Sequence, residues 1–249
     1  MITCGNLLMG VTGIIYCLNG HLEQAAYCIY IAALLDFLDG FVARKLNVSS
    51  PIGKDLDSLA DCVTFGTLPG LIVFTLVIYP ATSAQFIADI NSHSALTLLV
   101  AGCALLIPVF SALRLAKFNN DTRQSDSFIG VPTPANTLFI SSFIFLQAND
   151  GSNYIHLLTN NAMSNGSLHY LQLGQVFVIL LLCYLLVAEL PLIALKFKTF
   201  DLQPNFLRYA LIVCSVLLLI IFKFAAFAFI IPLYIILSIV AGMLIKKTL

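Results

Sequence analysis

Residues 36–61 read DFLDGFVARKLNVSSPIGKDLDSLAD, and this stretch decides how the rest of the chain is read. It lies between two long apolar runs, yet it holds five of the twelve acidic residues: Asp36, Asp39, Asp55, Asp57 and Asp61. A carboxylate at membrane depth costs roughly 2.5–3.5 kcal/mol on insertion scales. Several placed together point to a use, and metal binding is the first to consider.

The surrounding composition is that of an integral membrane protein. The 249 residues are 60% hydrophobic and only 10% charged, with a mean hydropathy of +0.98. Soluble domains carry about 25% charged residues. The formal net charge is zero, which gives no basic surface for nucleic acid. The seven cysteines are scattered through apolar segments without a CxxC pair and read as small buried hydrophobes. The first apolar run lacks a basic leader and reads as a retained helix.

A bilayer core about 30 Å thick needs roughly 20 helical residues. The apolar runs predict about eight transmembrane helices, at 3–19, 22–44, 53–79, 94–118, 134–148, 170–196, 207–222 and 225–245. The last two are separated only by Lys223 and could form one broken helix, leaving seven. The distribution of positive charge favours eight. Eleven of the twelve Lys and Arg residues lie in or beside the connections after spans two, four, six and eight. Connections 80–93 and 149–169 contain none. The expectation is an all-α polytopic bundle forming a single domain over 1–249, with additional C-terminal helices at about 170–245. Both termini and the Asp-rich segment face the cytoplasm. The 149–169 stretch, with its formal glycosylation acceptor at Asn165, reads as a non-cytoplasmic loop.

Helical spacing sorts the carboxylates. Asp36 and Asp39 are three apart and share a face, as do Asp57 and Asp61, four apart. Asp55 lies off that second face. Gly40, Ala43 and Gly53 are small residues beside the pairs and permit close approach of a helix or ligand. Four converging carboxylates need countercharge. Two Mg²⁺ or Mn²⁺ ions suit such oxygen ligands, and paired metals recur in phosphoryl chemistry. Arg44 could add a phosphate contact.

The segment from Asp36 to Asp61 matches D-x2-D-G-x2-A-R-x8-G-x3-D-x3-D at every fixed position. It resembles the signature of the CDP-alcohol phosphotransferase family, whose members displace CMP from a CDP-linked lipid with an alcohol. The resemblance implies that Asp36, Asp39 and Asp57 bind the metals, and that Asp61 binds metal and acts as general base. Gly40 and Arg44 would contact the CDP diphosphate, with Ala43, Ser50 and Gly53 beside it. It also implies CDP-diacylglycerol as donor, a homodimer and a place in the bacterial inner membrane.

Other segments bear on the acceptor. Residues Asp57–Gly66 (DSLADCVTFG) resemble a run of bacterial phosphatidylserine synthases. So do Arg114–Asn119 (RLAKFN, departing at Lys117, where Arg is usual) and Phe128–Ala135 (FIGVPTPA). The opening Thr3–Leu7 (TCGNL) resembles the start of the same group, with Asn6 a nucleotide contact. Arg114, Lys117 and Asn119 offer two cations and an amide, a set that can recognise the carboxylate of L-serine. Anchoring at a span terminus explains Lys117 equally well, and a helix start explains Pro134. The expected reaction is transfer of a phosphatidyl group to serine. The alternatives are the same chemistry with glycerol 3-phosphate or inositol phosphate, and an ion-coupled transporter. Pro191 is expected to kink span six beside Glu189, a packing group. His21, His93, His156 and His169 map to the non-cytoplasmic side.

Overall fold

The computed structural model describes residues 2–46, 50–78, 94–120, 128–149, 165–193 and 202–247. Helix α1 (Ile2–Leu18) is followed by α2 (Leu22–Leu46). Next comes a 28-residue helical run, Pro51–Ile78, made of α3 (Pro51–Cys62), a π-turn (Val63–Thr67) and α4 (Leu68–Ile78). Helices α5 (Ala95–Cys103) and α6 (Leu106–Asn120) follow, then α7 (Thr133–Asn149), α8 (Asn165–Val187), α9 (Leu202–Phe222) and α10 (Phe227–Lys247). The one ladder among the described residues pairs β1 (Phe128–Ile129) antiparallel with β2 (Pro191–Leu192).

Four helical runs among the described residues are long and apolar enough to cross a membrane: Leu22–Leu46, Pro51–Ile78, Ala95–Asn120 and Asn205–Gly242. By length and composition this is a multi-pass membrane protein. Each of the eight apolar runs contains helix. However, Ile2–Leu18, Thr133–Leu146 and Leu173–Val187 are shorter apolar helices. The last two runs join at a 3₁₀ turn, Lys223–Ala226, where Lys223 adopts φ 51°. Span six ends at Val187, before Glu189. Pro191 therefore does not kink a helix. It lies in β2 opposite Ile129, and Glu189 is exposed beyond the helix end. Connection 80–93, most of 149–169, Arg123, Lys196, Lys198, His93 and His156 lie outside the described residues.

The amino end packs by burying small side chains. The buried positions of α1 are Thr3, Asn6, Gly10, Gly13 and Cys17, spaced three and four apart on one stripe. Leu8 and Ile15 face outward at 61% and 56% exposure. Lipid solvates large apolar groups as well as a protein core does, so small residues form the helix contacts. A Cβ on Gly10 would sit 2.2 Å from Thr64 Oγ1, and one on Gly13 would sit 2.5 Å from Leu68 Cδ2. Gly20, at φ 78°, ends α1 in a left-handed cap. The His21 amide closes it by donating to Tyr16 at 2.9 Å, which turns the chain directly into α2.

Helix α3 starts where local chemistry tells it to. Ser50 is the N-cap, its hydroxyl accepting from the Gly53 amide at 3.0 Å, and Pro51 takes the first turn. A short unit, Gly66-Thr67-Leu68-Pro69-Gly70, seats α6 against the π-turn and α4. Cβ atoms on Gly66 and Gly70 would lie 3.0 Å from Ser111 Cβ and 2.7 Å from Pro108 Cδ. The core above holds Ile29, Leu68, Ile72, Ile107 and Ile144, all fully buried.

Overpacking such a contact costs about 1–3 kcal/mol. Gly70→Ala is therefore expected to lower the melting temperature in detergent. Gly102→Ala, where a Cβ meets nothing within 4 Å, is expected to leave it unchanged or raise it. Equal melting of the two variants would contradict the packing.

Candidate active site

The carboxylates reach one another from two helices. Asp36 sits near the C-terminal end of α2, while Asp57 and Asp61 lie one turn apart on α3. One oxygen of each falls within 4.8 Å of the others. Among the described residues this is the one place where three potential ligands converge. Two unit charges at that separation repel by about 3 kcal/mol at an effective dielectric near 20. Asp61 is 8% exposed, so water relieves little of this. The donor set is all oxygen, anionic and half-buried, which fits a hard divalent cation.

Asp39 is outside this trio. Its Oδ2 accepts from the Thr3 hydroxyl of α1. Asp61 is engaged from the same helix, its Oδ1 accepting from Asn6 Nδ2 at 3.0 Å. Asp55 is exposed, as its place off the Asp57/Asp61 face implied.

A cavity of about 350 Å³ opens on the trio. Gly40 and Arg44 of α2 line it, together with Arg114 of α6 and the Pro132–Pro134 segment. The cluster and Arg114, 53 residues after Asp61 in sequence, thus share one space. Arg114 is 5% exposed. Its Nε and Nη2 donate long hydrogen bonds to the carbonyls of Val131 (3.4 Å) and Gly130 (3.5 Å). Its guanidinium lies 5.4 Å from the Phe118 ring centroid, within cation–π range.

The loop carrying those carbonyls is itself clamped. The Gly130 amide donates to Leu190 (2.9 Å) and the Val131 amide to Leu185 (3.1 Å). Gly130 has φ +78°, and a Cβ there would sit 2.8 Å from the Ala188 carbonyl. Only glycine fits that turn. These contacts run between backbone atoms, so no residue type in 185–192 advertises them.

The remaining expected residues are not among those that line the cavity. Lys117 is exposed. Asn119 ties α6 to α3: its Nδ2 donates to Ser58 Oγ at 2.7 Å, and its carbonyl accepts from Lys54 Nζ at 3.0 Å. Ser50 caps α3, with Gly53 as its partner. Ala43 is half-buried on α2. Asn6 is fully buried against Asp61. Sequence reasoning missed Thr3, although Thr3 and Asn6, three apart on an apolar helix, were a legible pair. It also missed Phe37, Leu115 and Phe118, which line the cavity, and the π-turn just after Asp61. Such insertions often mark functional sites.

The cavity pairs a carboxylate cluster with two arginines, Arg44 and Arg114. The sequence model of the CDP-alcohol phosphatidyltransferase family matches residues 1–166, and the chain belongs to that family. Among its relatives is a Bacillus subtilis protein named CDP-diacylglycerol–serine O-phosphatidyltransferase. It is 37% identical over 134 residues, covering 54% of this chain and 67% of the relative. A Helicobacter pylori protein of the same name is 32% identical over 169 residues, covering 65% and 60%. A Methanothermobacter thermautotrophicus protein named archaetidylserine synthase is 32% identical over 141 residues, covering 55% and 53%. The chain thus spans about two thirds or less of the length of these curated relatives.

A ligand that binds only the folded protein stabilises it by about 2.7 kcal/mol at a hundredfold excess over Kd. Adding Mn²⁺ to chelator-treated protein is expected to raise the melting temperature by several degrees. In Asp57→Asn the gain should vanish, and in Asp55→Asn it should persist. A gain that survives Asp57→Asn would place the cation elsewhere.

Proposed function

We propose that this chain transfers the phosphatidyl group of CDP-diacylglycerol to the hydroxyl of L-serine, giving phosphatidylserine and CMP. The observation that carries this reading is the single cavity lined by Asp36, Asp57 and Asp61 together with Arg44 and Arg114. Relatives that bear the serine-transferring name support it.

In this reading, Arg44 and the small face at Gly40 receive the diphosphate, while the acyl chains stay in lipid. Arg114, held by the clamped loop, takes the serine carboxylate. Asp61 accepts the proton of the serine hydroxyl. The serine oxygen bonds to the phosphorus that bears diacylglycerol, the bond from that phosphorus to the CMP oxygen breaks, and CMP leaves. Two divalent cations, Mg²⁺ or Mn²⁺, held by Asp36, Asp39, Asp57 and Asp61, would neutralise the diphosphate and the charge that develops between attacking and leaving oxygens. Glycerol 3-phosphate or inositol phosphate would bring a second doubly charged phosphate into a cavity that has Arg114 beyond the diphosphate contact. One carboxylate matches one guanidinium better. The transporter reading has no support from the family assignment.

The chain acts as a single membrane-embedded unit with eight crossings, both termini and the site facing the cytoplasm, in the inner membrane of a bacterium. The bias of Lys and Arg towards alternate connections supports that orientation. CDP-lipid and soluble serine would then meet at the mouth of the cavity. Lys117 anchors the α6 end at the headgroups, Asn119 holds that end to α3, and the active form is a homodimer, as the family resemblance implies.

Purified protein in mixed micelles is expected to release CMP from CDP-diacylglycerol only with L-serine and divalent metal, and chelator should stop it. Asp61→Asn should lower kcat by about 10²–10⁴-fold with the fold intact. Arg114→Ala should raise the serine KM by about tenfold or more, the worth of a charge-assisted hydrogen bond. CMP release driven by glycerol 3-phosphate but not by serine would overturn the choice of acceptor.

A further inference from the structure

Helix α1 carries none of the signature residues, yet two of its side chains donate to signature carboxylates: Thr3 to Asp39 and Asn6 to Asp61. Both lie on the stripe that the small residues bury. The position of Asn6 is fixed from below. Gly10 lets α1 approach until Thr64 Oγ1, on the π-turn three residues after Asp61, donates to the Asn6 carbonyl at 3.2 Å. Its own Oδ1 is buried with no hydrogen-bond partner among the described residues, so the hydrogen bond that orients the amide group is the one its donor end makes to Asp61. Buried polar atoms left unpaired are costly, and the hydrogen bond from Nδ2 to Asp61 offsets that cost.

We propose that Asn6 is a positioning residue for Asp61. Its Nδ2 occupies Asp61 Oδ1 and so fixes the carboxylate beside Asp36 and Asp57 in the cavity. A carboxylate at position 6 would repel Asp61, and a hydrocarbon would leave its Oδ1 buried and unpaired. Asn6 thus acts through Asp61, and Thr64 and Gly10 act through Asn6. This role rests on the site assigned above but is independent of which alcohol is the acceptor. It differs from a direct contact to the nucleotide, which would govern CDP-diacylglycerol binding.

The test compares full-length wild type, Asn6→Ala, Thr64→Val and Thr64→Ser in detergent. Free-Mn²⁺ signal by electron paramagnetic resonance gives metal affinity without turnover, and steady-state CMP release gives kcat and KM. Partners that orient a ligand are worth about 10–100-fold in metal affinity or activity. Asn6→Ala should therefore lose that much in both Mn²⁺ affinity and kcat, with the CDP-diacylglycerol KM within about threefold, the pattern of an interaction absent from ground-state binding. Thr64→Val should shift both in the same direction by less, and Thr64→Ser should match wild type. If Asn6→Ala fails to fold, Thr64→Val alone decides. A raised CDP-diacylglycerol KM with kcat and Mn²⁺ affinity unchanged would overturn the proposal, as would no change at all. Wild type that binds Mn²⁺ but does not use serine would refute the acceptor and leave the Mn²⁺ comparison standing.

Discussion

The fold depends on one repulsion. Three carboxylates, at least one of them buried, are held with oxygens inside 4.8 Å. In a low-dielectric setting they oppose the approach that brings Asp36 of α2 beside Asp57 and Asp61 of α3. Everything around the cluster can be read as holding it together. The tight turn at Gly20 aligns α1 with α2, the Ser50 cap starts α3 at a fixed residue, and the glycine contacts seat α1 and α6 on either side of the π-turn. A divalent cation reverses the sign of the interaction and makes the cluster an attractive centre. Structure and chemistry therefore share one requirement.

The second structural theme is that donors come from outside the signature. Helix α1 supplies hydroxyl and amide donors to Asp39 and Asp61. Arg114 reaches the same cavity from α6. Its guanidinium is held by carbonyls of a loop that the end of α8 clamps in turn. The carboxylate end of the cavity is thus built on helices, and the Arg114 end is braced by a pinned loop.

Much of this was legible in the sequence, and the reasons are specific. The Asp36–Asp61 spacing fixes faces on helices, so the convergence of Asp36, Asp57 and Asp61 and the isolation of Asp55 followed from periodicity. Arg114 stood out at the head of the RLAKFN run that ends span four. Asp39 shows the limit: spacing put it on the right face, but the Thr3 hydroxyl that engages it comes from another helix. Asn119 resembled a binding residue, and spacing gave no sign that its side chain would tie α6 to α3. The halt of span six at Val187 was hidden because an apolar run says nothing about where backbone hydrogen bonds stop. The clamp of Gly130 and Val131 left no trace because carbonyls carry no residue identity.

The central claim is that the Asp36/Asp57/Asp61 cluster, with Asp39, is a divalent-cation centre. The most direct measurement is a Mn²⁺ titration of purified, metal-free protein followed by electron paramagnetic resonance. The account predicts two bound ions per chain with an exchange-coupled spectrum, lost in Asp36→Asn. Binding of no Mn²⁺, or an isolated-ion spectrum that persists in Asp36→Asn, would contradict it.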